Sequence, residues 1–402
     1  MNLCEELKWR DFWAETTIKD PKSLETRKNK KFYLGADPSA DSLTIGNLAA
    51  LMMCACFVRH GYQPYLLVGG ATGQIGDPKD NGERNLKPIE EIEHNKKILA
   101  QQMSQVVKAD NLVMVDNLEW FADMGYMEFL REIGKQFSMT QLLDRQFVQA
   151  RIGEGGSGIS YAEFSYTLMQ GYDYLCLYRK YGIDLQLCGA DQYGNCTSGI
   201  HLIRRLENAD ADIWSTPLIL DPVTGRKFGK SEGNAIWLSS EKTSIFDFYQ
   251  FWLNQSDQAV ENLLKIYTIY PVETVENLMK EQQAHPEKRP AQKALAIGAT
   301  EIVHGKEAAA AVQTLSEYLF SGRANEVLEH QGLMDLLPQT AIGTLVIDAL
   351  VATGLAESKT AARKFIKGNA ISVNGEKITD DTAKLDKAGI LKKGKNKFAV
   401  IA

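Results

Sequence analysis

KFYLGADPSADSLTIGNL, Lys31–Leu48, is the stretch on which the fold turns. Its opening six residues, Lys31–Ala36, form the short apolar and aromatic run of a strand. Asp-Pro-Ser-Ala-Asp-Ser then supplies turn and N-cap chemistry, and the apolar stretch Gly46–His60 reads as a helix. A strand–loop–helix of this kind points unpaired N–H groups at an anion lying over the strand end, and Gly46 lets a ligand approach closely. The alternation continues outward. Pro64–Val68, Leu112–Val115, Asp184–Cys188 and Thr216–Leu220 read as strands, and Ile89–Val107, Glu163–Tyr181 and Gly194–Leu206 as helices. This pattern predicts the α/β class: a parallel sheet wrapped by helices, with ligands at the carboxyl ends of its strands.

Three further stretches carry chemistry. VGGATGQIGDPKDNGER, Val68–Arg84, follows a predicted strand; its Gly69, Gly70, Gly73 and Gly76 suit a backbone folded around a ligand, and Asp77 could hold an ammonium group. It is neither a Walker loop nor a dinucleotide fingerprint. EFSYTLMQGYDYLCLY, Glu163–Tyr178, is apolar in nearly every direction, which implies a buried helix. Tyr166, Gln170 and Asp173 nevertheless share one face at i, i+4 and i+7. An unpaired amide or carboxylate buried there costs about 2 kcal/mol or more, so these groups need either protein partners or a polar ligand. RKFGKSEGNAIWL, Arg226–Leu238, places Lys227 and Lys230 around a Phe-Gly hinge, a loop able to bring ammonium groups to transferring phosphates.

At 402 residues the chain is too long for one ordinary core. Residues 121–160 interrupt the alternation as a helical insertion would, and after about 240 the pattern is helical only, through Thr243–Leu253, Gln258–Thr268, Pro271–Gln282 and Arg289–His304. A looser stretch near 318–338 precedes a last module. No apolar run reaches the roughly 18–20 residues of a membrane span, and no secretory signal is visible. The six cysteines form no C-x-x-C pair, so free buried thiols in a reducing cytoplasm are expected, with no metal site. Charge is uneven. Residues 357–397 carry eleven bases and five acids, net +6, which leaves −12 on the rest of a chain whose total is −6. A basic module on an acidic body suits a polyanionic partner held at one end.

Taken in order, ELKWR, GADPSADSLTIGNL, GGATGQIGDP, AEFSYTLMQGYD, GADQYGN, KFGKS with AIWL and KTSIFDFYQFW, and HPEKRPAQKALA resemble the bacterial tyrosyl-tRNA synthetases over nearly the whole chain. These are class I enzymes with a Rossmann-type catalytic domain. The resemblance implies activation of L-tyrosine with ATP and Mg²⁺, then transfer to tRNA(Tyr). Thr44–Asn47 then corresponds to the HIGH signature and Lys227–Ser231 to KMSKS, so Thr44, Asn47, Lys227, Lys230 and Ser231 are expected catalytic residues, with Arg84 a pyrophosphate contact. Lys79 stands where the family has a further lysine, in a shorter loop. Tyr33 and Asp173 would hold the tyrosine hydroxyl, Asp77, Tyr166 and Gln170 its ammonium, and Gln192 would lie near its carboxylate. Gly35, Asp37, Ser39, Gly46, Gly189, Asp191 and Lys230 would surround ATP.

The final module, Ser358–Gly375, resembles the S-four-type RNA-binding domain, with Arg363, Lys364 and Lys367 as phosphate contacts on a basic helix. The expected domains are therefore a Rossmann-type catalytic domain over 1–220, the KMSKS loop with an all-α anticodon-side domain over 221–320, a linker over 321–338, and a small α+β RNA-binding domain over 339–402. The resemblance also implies a homodimer, through the 121–160 insertion, in the cytoplasm and without a membrane. The sequence departs from the family where Thr44 and Asn47 replace the histidines of HIGH, and where Leu34 replaces an often polar residue. Two alternatives follow: a tryptophan–tRNA ligase, against which the Tyr33/Asp173 pair argues, and a synthetase-like RNA binder that has lost activation.

Overall fold

Apolar runs too short for helices become the strands of a five-stranded parallel sheet: β1 (Lys31–Ala36), β2 (Gln63–Val68), β3 (Val113–Asp116), β4 (Leu185–Gly189) and β5 (Asp212–Thr216). The computed structural model describes residues 1–78, 85–143, 146–153, 156–220, 225, 228, 230–231 and 234–402; of Gln141, Gln146, Phe147, Ala150, Lys230, Ser231 and Asn234 it describes the backbone alone. The strand order is β3-β2-β1-β4-β5. Chain direction across the sheet reverses between β1 and β4, where Tyr33 lies opposite Gln186. An open parallel sheet has its ligand crevice at the carboxyl ends beside such a switch point.

Crossover helices Ile45–Arg59, Ile89–Val107, Tyr161–Tyr181 and Tyr193–Glu207 link the strands. The last strand differs from the expectation. The sequence placed it at Thr216–Leu220, whereas β5 is Asp212–Thr216, with Ile213 and Trp214 fully buried. The ladder with β4 ends where Gly189 lies opposite Thr216, and Pro217, which follows, has no N–H to extend it.

The chain forms two units: Met1–Leu238 with Ser256–Met279, and Ser239–Gln255 with Lys280–Ala402. Segment 256–279 joins the sheet unit through specific bonds. The buried Arg10 guanidinium donates to the carbonyls of Lys265 (2.7 Å), Thr268 (2.8 Å) and Tyr270 (3.0 Å). The Tyr267 hydroxyl donates to the Ile45 carbonyl at 3.1 Å, at the start of the first crossover helix.

The second unit contains helices Ile245–Leu253, Pro290–His304 and Lys306–Phe320, the last unannounced by the sequence pattern. Stretch 321–338, read as a linker, carries a 3-10 helix over Ala324–Glu329 and a short helix over Gln331–Met334. A small α+β module follows, with helices Val346–Ala352 and Lys359–Lys367 and a sheet ordered Glu376–Lys377, Ile371–Val373, Gly389–Lys393, Lys397–Ile401, Gln339–Thr340. Its core is its own, built on Val346, Leu350, Ile366, Ile371, Leu391 and Ile401. Ser358 caps the basic helix by accepting from the Ala361 N–H at 3.2 Å. The Val-Asn-Gly turn has φ +50° at Asn374 and +88° at Gly375, the left-handed pair that an Asn-Gly hairpin supplies.

Candidate active site

The helix Tyr161–Tyr181 carries the polar stripe and is held at both ends. Ser160 caps it through the Glu163 N–H at 3.2 Å, and Gly182 ends it at φ +69°. Glu163 and Arg151, both almost fully buried, pair at 2.9 Å and pin its first turn. Small residues bring it close to the helix Tyr193–Glu207: a Cβ on Gly199 would lie 2.5 Å from the Tyr174 Cβ, and one on Gly171 would lie 2.9 Å from the Ser198 Cβ. That close approach sets Gln170 beside Gln192.

These side chains line one cavity of about 490 Å³ at the carboxyl end of the sheet. The cavity collects Tyr33, Asp77, Tyr166, Gln170, Asp173 and Gln192, together with Gly35, Asp37, Ser39, Gly46, Gly189, Asp191, Thr44 and Asn47. Lys79, Arg84 and Lys227 fall outside the described residues, and of Lys230 and Ser231 the backbone strand Lys230–Ser231 is described.

Part of the stripe has protein partners. The Tyr166 hydroxyl donates to Asp37 Oδ2 at 2.8 Å, and Thr72 Oγ1 donates to Asp37 Oδ1 at 2.8 Å. Gln192 Nε2 and Asn195 Nδ2 donate to Asp77 at 2.8 and 3.3 Å. Asp173 accepts from Trp120 Nε1 at 2.9 Å and from Asn117 Nδ2 at 3.2 Å. Burial pushes the Asp173 carboxyl well above the usual range, while these two donors act the other way. Burial likewise pushes the Tyr33 and Tyr166 phenols well above theirs, so both stay neutral donors.

Other polar atoms are left over. The Tyr33 hydroxyl, Gln170 Oε1 and Gln186 Oε1 are buried and, among the described residues, have no hydrogen-bond partner. The Tyr33 ring is held against Tyr174, with centroids 5.0 Å apart, so the hydroxyl cannot easily turn away to water. Leaving such a group unpaired costs about 1–3 kcal/mol, and three together in one cavity mark the place of a polar ligand.

The glycine-rich turn works differently from the expectation of a backbone wrapped around a ligand. A Cβ on Gly69 would lie 2.3 Å from Asp37 Oδ1, one on Gly70 2.3 Å from Asp116 Oδ1, and one on Gly73 2.8 Å from the Pro38 ring. These glycines admit the protein's own side chains. Thr44 and Asn47 form a reciprocal cap: Asn47 Oδ1 accepts from the Thr44 N–H at 3.0 Å and from its hydroxyl at 2.9 Å. The Thr44 hydroxyl is thus turned onto Asn47, which leaves the Asn47 amide as the donor of this motif. Beside it the chain following the lysine loop is anchored, since Ile45 N–H donates to the Ile236 carbonyl at 3.1 Å and Leu238 N–H to the Leu43 carbonyl at 2.8 Å.

Thr72, Asn117, Trp120 and Gln186 were not singled out from the sequence. Asn117 had one signal available, its place directly after a strand end. Trp120 lies in a stretch with no periodic cue.

A family model described as tRNA synthetases class I (W and Y) matches residues 25–321, and one described as the tyrosine–tRNA ligase SYY-like C-terminal domain matches residues 330–401. Tyrosine–tRNA ligase of Levilactobacillus brevis is 38% identical over 99% of this chain and 98% of its own length. That of Lactobacillus delbrueckii subsp. bulgaricus is 39% identical over 100% and 98%. The chain belongs to the tyrosine–tRNA ligases. A mitochondrial tyrosyl-tRNA synthetase of Aspergillus nidulans, truncated at its C-terminus, superposes with a TM-score of 0.70 at 28% identity, over 79% of this chain and 94% of that one. A tryptophanyl-tRNA synthetase of Encephalitozoon cuniculi, at 11% identity and TM-score 0.57 over 77% of this chain and 89% of that one, shares the fold alone. As a class I synthetase of this family the chain takes tyrosine, ATP and tRNA as its substrates. Neither the tryptophan reading nor the inactive RNA binder is needed.

Proposed function

We propose that the 490 Å³ cavity binds tyrosine at its floor and ATP at its mouth. The carrying observation is the set of unpartnered buried atoms, Tyr33 hydroxyl and Gln170 Oε1, in the same cavity as the carboxylates of Asp77 and Asp173. Tyr33 and Asp173 take the phenol hydroxyl. Asp77, Tyr166 and Gln170 take the ammonium, and Gln192 lies by the carboxylate. Gly35, Asp37, Ser39, Gly46, Gly189 and Asp191 surround the nucleotide. The tyrosine carboxylate attacks the ATP α-phosphorus in line, and pyrophosphate leaves. The terminal ribose hydroxyl of tRNA then attacks the adenylate carbonyl, releasing AMP. No side chain acts as a nucleophile; positioning and charge stabilisation carry both steps. The Asn47 amide, Lys227, Lys230, Ser231 and Arg84 supply donors to the phosphates, with Thr44 setting the Asn47 side chain.

Mg²⁺ fits as a companion of ATP rather than as an ion held by a protein cage. Asp37 and Asp77 already accept two hydrogen bonds each. Among the described residues the cluster with metal-ligand spacing is Glu6, Cys56 and His60, none of which lines the cavity.

The catalytic region 1–220, the lysine loop and helical region 221–320, the connection 321–338 and the RNA-binding module 339–402 divide these tasks. A homodimer is supported by exposed apolar side chains grouped in sequence around the insertion, Tyr126, Met127, Met139 and Tyr161. No helix among the described residues is long and apolar enough to cross a membrane, and the six free cysteines support a reducing compartment, the cytoplasm. Sedimentation tests the dimer: Met127→Glu with Met139→Glu should yield a monomer, and an unaltered dimer would exclude this face.

The pocket itself is tested by isotope exchange between pyrophosphate and ATP. Tyrosine should drive exchange with Mg²⁺ present and tryptophan should not. Equal exchange with both amino acids would refute the assignment of the cavity floor.

A further inference from the structure

We infer that Asp116, at the carboxyl end of β3, and Lys96, on the helix Ile89–Val107, form a positioning pair that sets the pocket's selectivity for a phenol. The inference deepens the pocket reading above and rests on it. Asp116 Oδ1 accepts from two backbone donors, the Gly70 N–H at 3.1 Å and the Leu118 N–H at 2.9 Å. Its other oxygen, Oδ2, pairs with the Lys96 ammonium, which also pairs with Glu93 at 2.7 Å. One carboxylate therefore clips the glycine-rich turn after β2 to the short helix Leu118–Phe121, with a helix from the outer layer behind it. Gly70 is part of the clip, because its missing side chain is the notch in which Oδ1 sits.

The segment so clipped delivers both donors that face Asp173. Asn117 is fully buried; its Oδ1 accepts from the Ala71 N–H at 2.7 Å, and its Nδ2 reaches Thr72 Oγ1 at 2.9 Å and Asp173 Oδ2 at 3.2 Å. Three residues on, Trp120 Nε1 reaches Asp173 Oδ1 at 2.9 Å. Asp116 and Lys96 do not line the cavity; their positioning effect passes through Asn117 and Trp120, and beside it the Asp116 charge acts directly on Asp173, adding to burial in pushing its carboxyl up. Without the carboxylate, the Leu118 N–H loses its acceptor, the Gly70 N–H keeps only the Val68 carbonyl at 3.0 Å, and the 116–120 segment loses its orientation. A misplacement of about 1 Å at a reacting or recognising group can cost about a hundredfold.

The test measures pyrophosphate exchange with tyrosine and with phenylalanine for wild type, Asp116→Ala, Asp116→Asn, Lys96→Met and Asp173→Asn. Asp116→Ala should raise KM for tyrosine and lower the tyrosine-to-phenylalanine ratio of kcat/KM about tenfold, with KM for ATP unchanged. Asp116→Asn keeps an oxygen for both N–H groups and should recover most of the ratio, and Lys96→Met should lower it less than Asp116→Ala. Should Asp173→Asn collapse the ratio while folded Asp116→Ala leaves it at the wild-type value, the positioning role is overturned and the pocket reading stands. If Asp173→Asn leaves it unchanged as well, the pocket reading itself falls. If Asp116→Ala does not fold, Lys96→Met decides: a wild-type ratio, or equal losses toward tyrosine and ATP, overturns the inference.

Discussion

Asp173→Asn and Tyr33→Phe are expected to erode the preference for tyrosine over phenylalanine more than any other single changes in this chain. A pocket that hydrogen-bonds a hydroxyl rejects the analogue lacking it, because its own buried groups are then left unpaired. Discrimination of about 10⁵ without editing is the scale that tyrosyl-tRNA synthetases reach. Among the described residues the Tyr33 hydroxyl has no partner, so the incoming phenol is its natural one. Tyr33→Phe removes that group, and tyrosine activation should fall by roughly 1–2 kcal/mol, or about five- to thirtyfold. Phenylalanine activation should hold or improve, since one orphaned hydroxyl has gone.

Asp173→Asn acts more severely. Asn117 and Trp120 both donate to this carboxylate. An asparagine keeps one acceptor oxygen and turns an N–H₂ toward a donor already there. A carboxyl acceptor for the phenol becomes an amide with a donor clash, an effect of about 2–3 kcal/mol. The measurement is kcat/KM for the two amino acids in each variant. An unchanged ratio in both would remove the hydroxyl clamp from the site.

The second large effect concerns RNA. Replacing Arg363, Lys364 and Lys367 together with Gln should leave tyrosine-dependent pyrophosphate exchange at the wild-type rate and weaken tRNA charging. Every phosphate that is no longer neutralised should lower the slope of log K against log salt by about 0.7–0.9. All three side chains are exposed on one capped helix. Arg363, however, pairs with Asp381 at 3.3 Å, whereas Lys364 and Lys367 enter no ion pair among the described residues. The slope should therefore fall by about 1.4–1.8, for two contacts, rather than about 2.1–2.7, for three, with KM for tRNA rising steeply as salt is added to wild type and less so in the variant. Loss of exchange to the same degree as charging would show that this helix serves the catalytic centre and not RNA.

Much of this architecture was legible along the chain because its signals are local. The strand Lys31–Ala36 and the helix Ile89–Val107 carry their period in consecutive residues, and their ends stood where the pattern placed them. The same holds for the stripe Tyr166, Gln170, Asp173, since a helix converts spacing into a shared face without help from elsewhere. Where the local signal was ambiguous, the boundaries moved. Thr216–Leu220 is apolar enough for a strand but carries Pro217, and the pairing of Ile213 with Gln186 and of Trp214 with Leu187 places the strand on the earlier run. The helix Lys306–Phe320 went unread because Gly305, at φ +90°, separates it from its neighbour without ending the helical region.

The sequence by itself determined the alternation of strands and helices, the basic last module and the face shared by Tyr166, Gln170 and Asp173, because each is written in neighbours two, three or four positions apart. Tertiary structure alone decided which polar groups are left over. Asp37 is taken by Thr72 and Tyr166, Asp116 by the Gly70 N–H and Lys96, and Asp173 by Asn117 and Trp120, from segments 35 to 129 residues distant in the case of Asp37 and 53 to 56 in that of Asp173. Among the described residues the Tyr33 hydroxyl and Gln170 Oε1 have none. Whether a buried hydrogen-bonding group is satisfied depends on what the fold brings within about 3 Å of it, a distance that no spacing along the chain encodes.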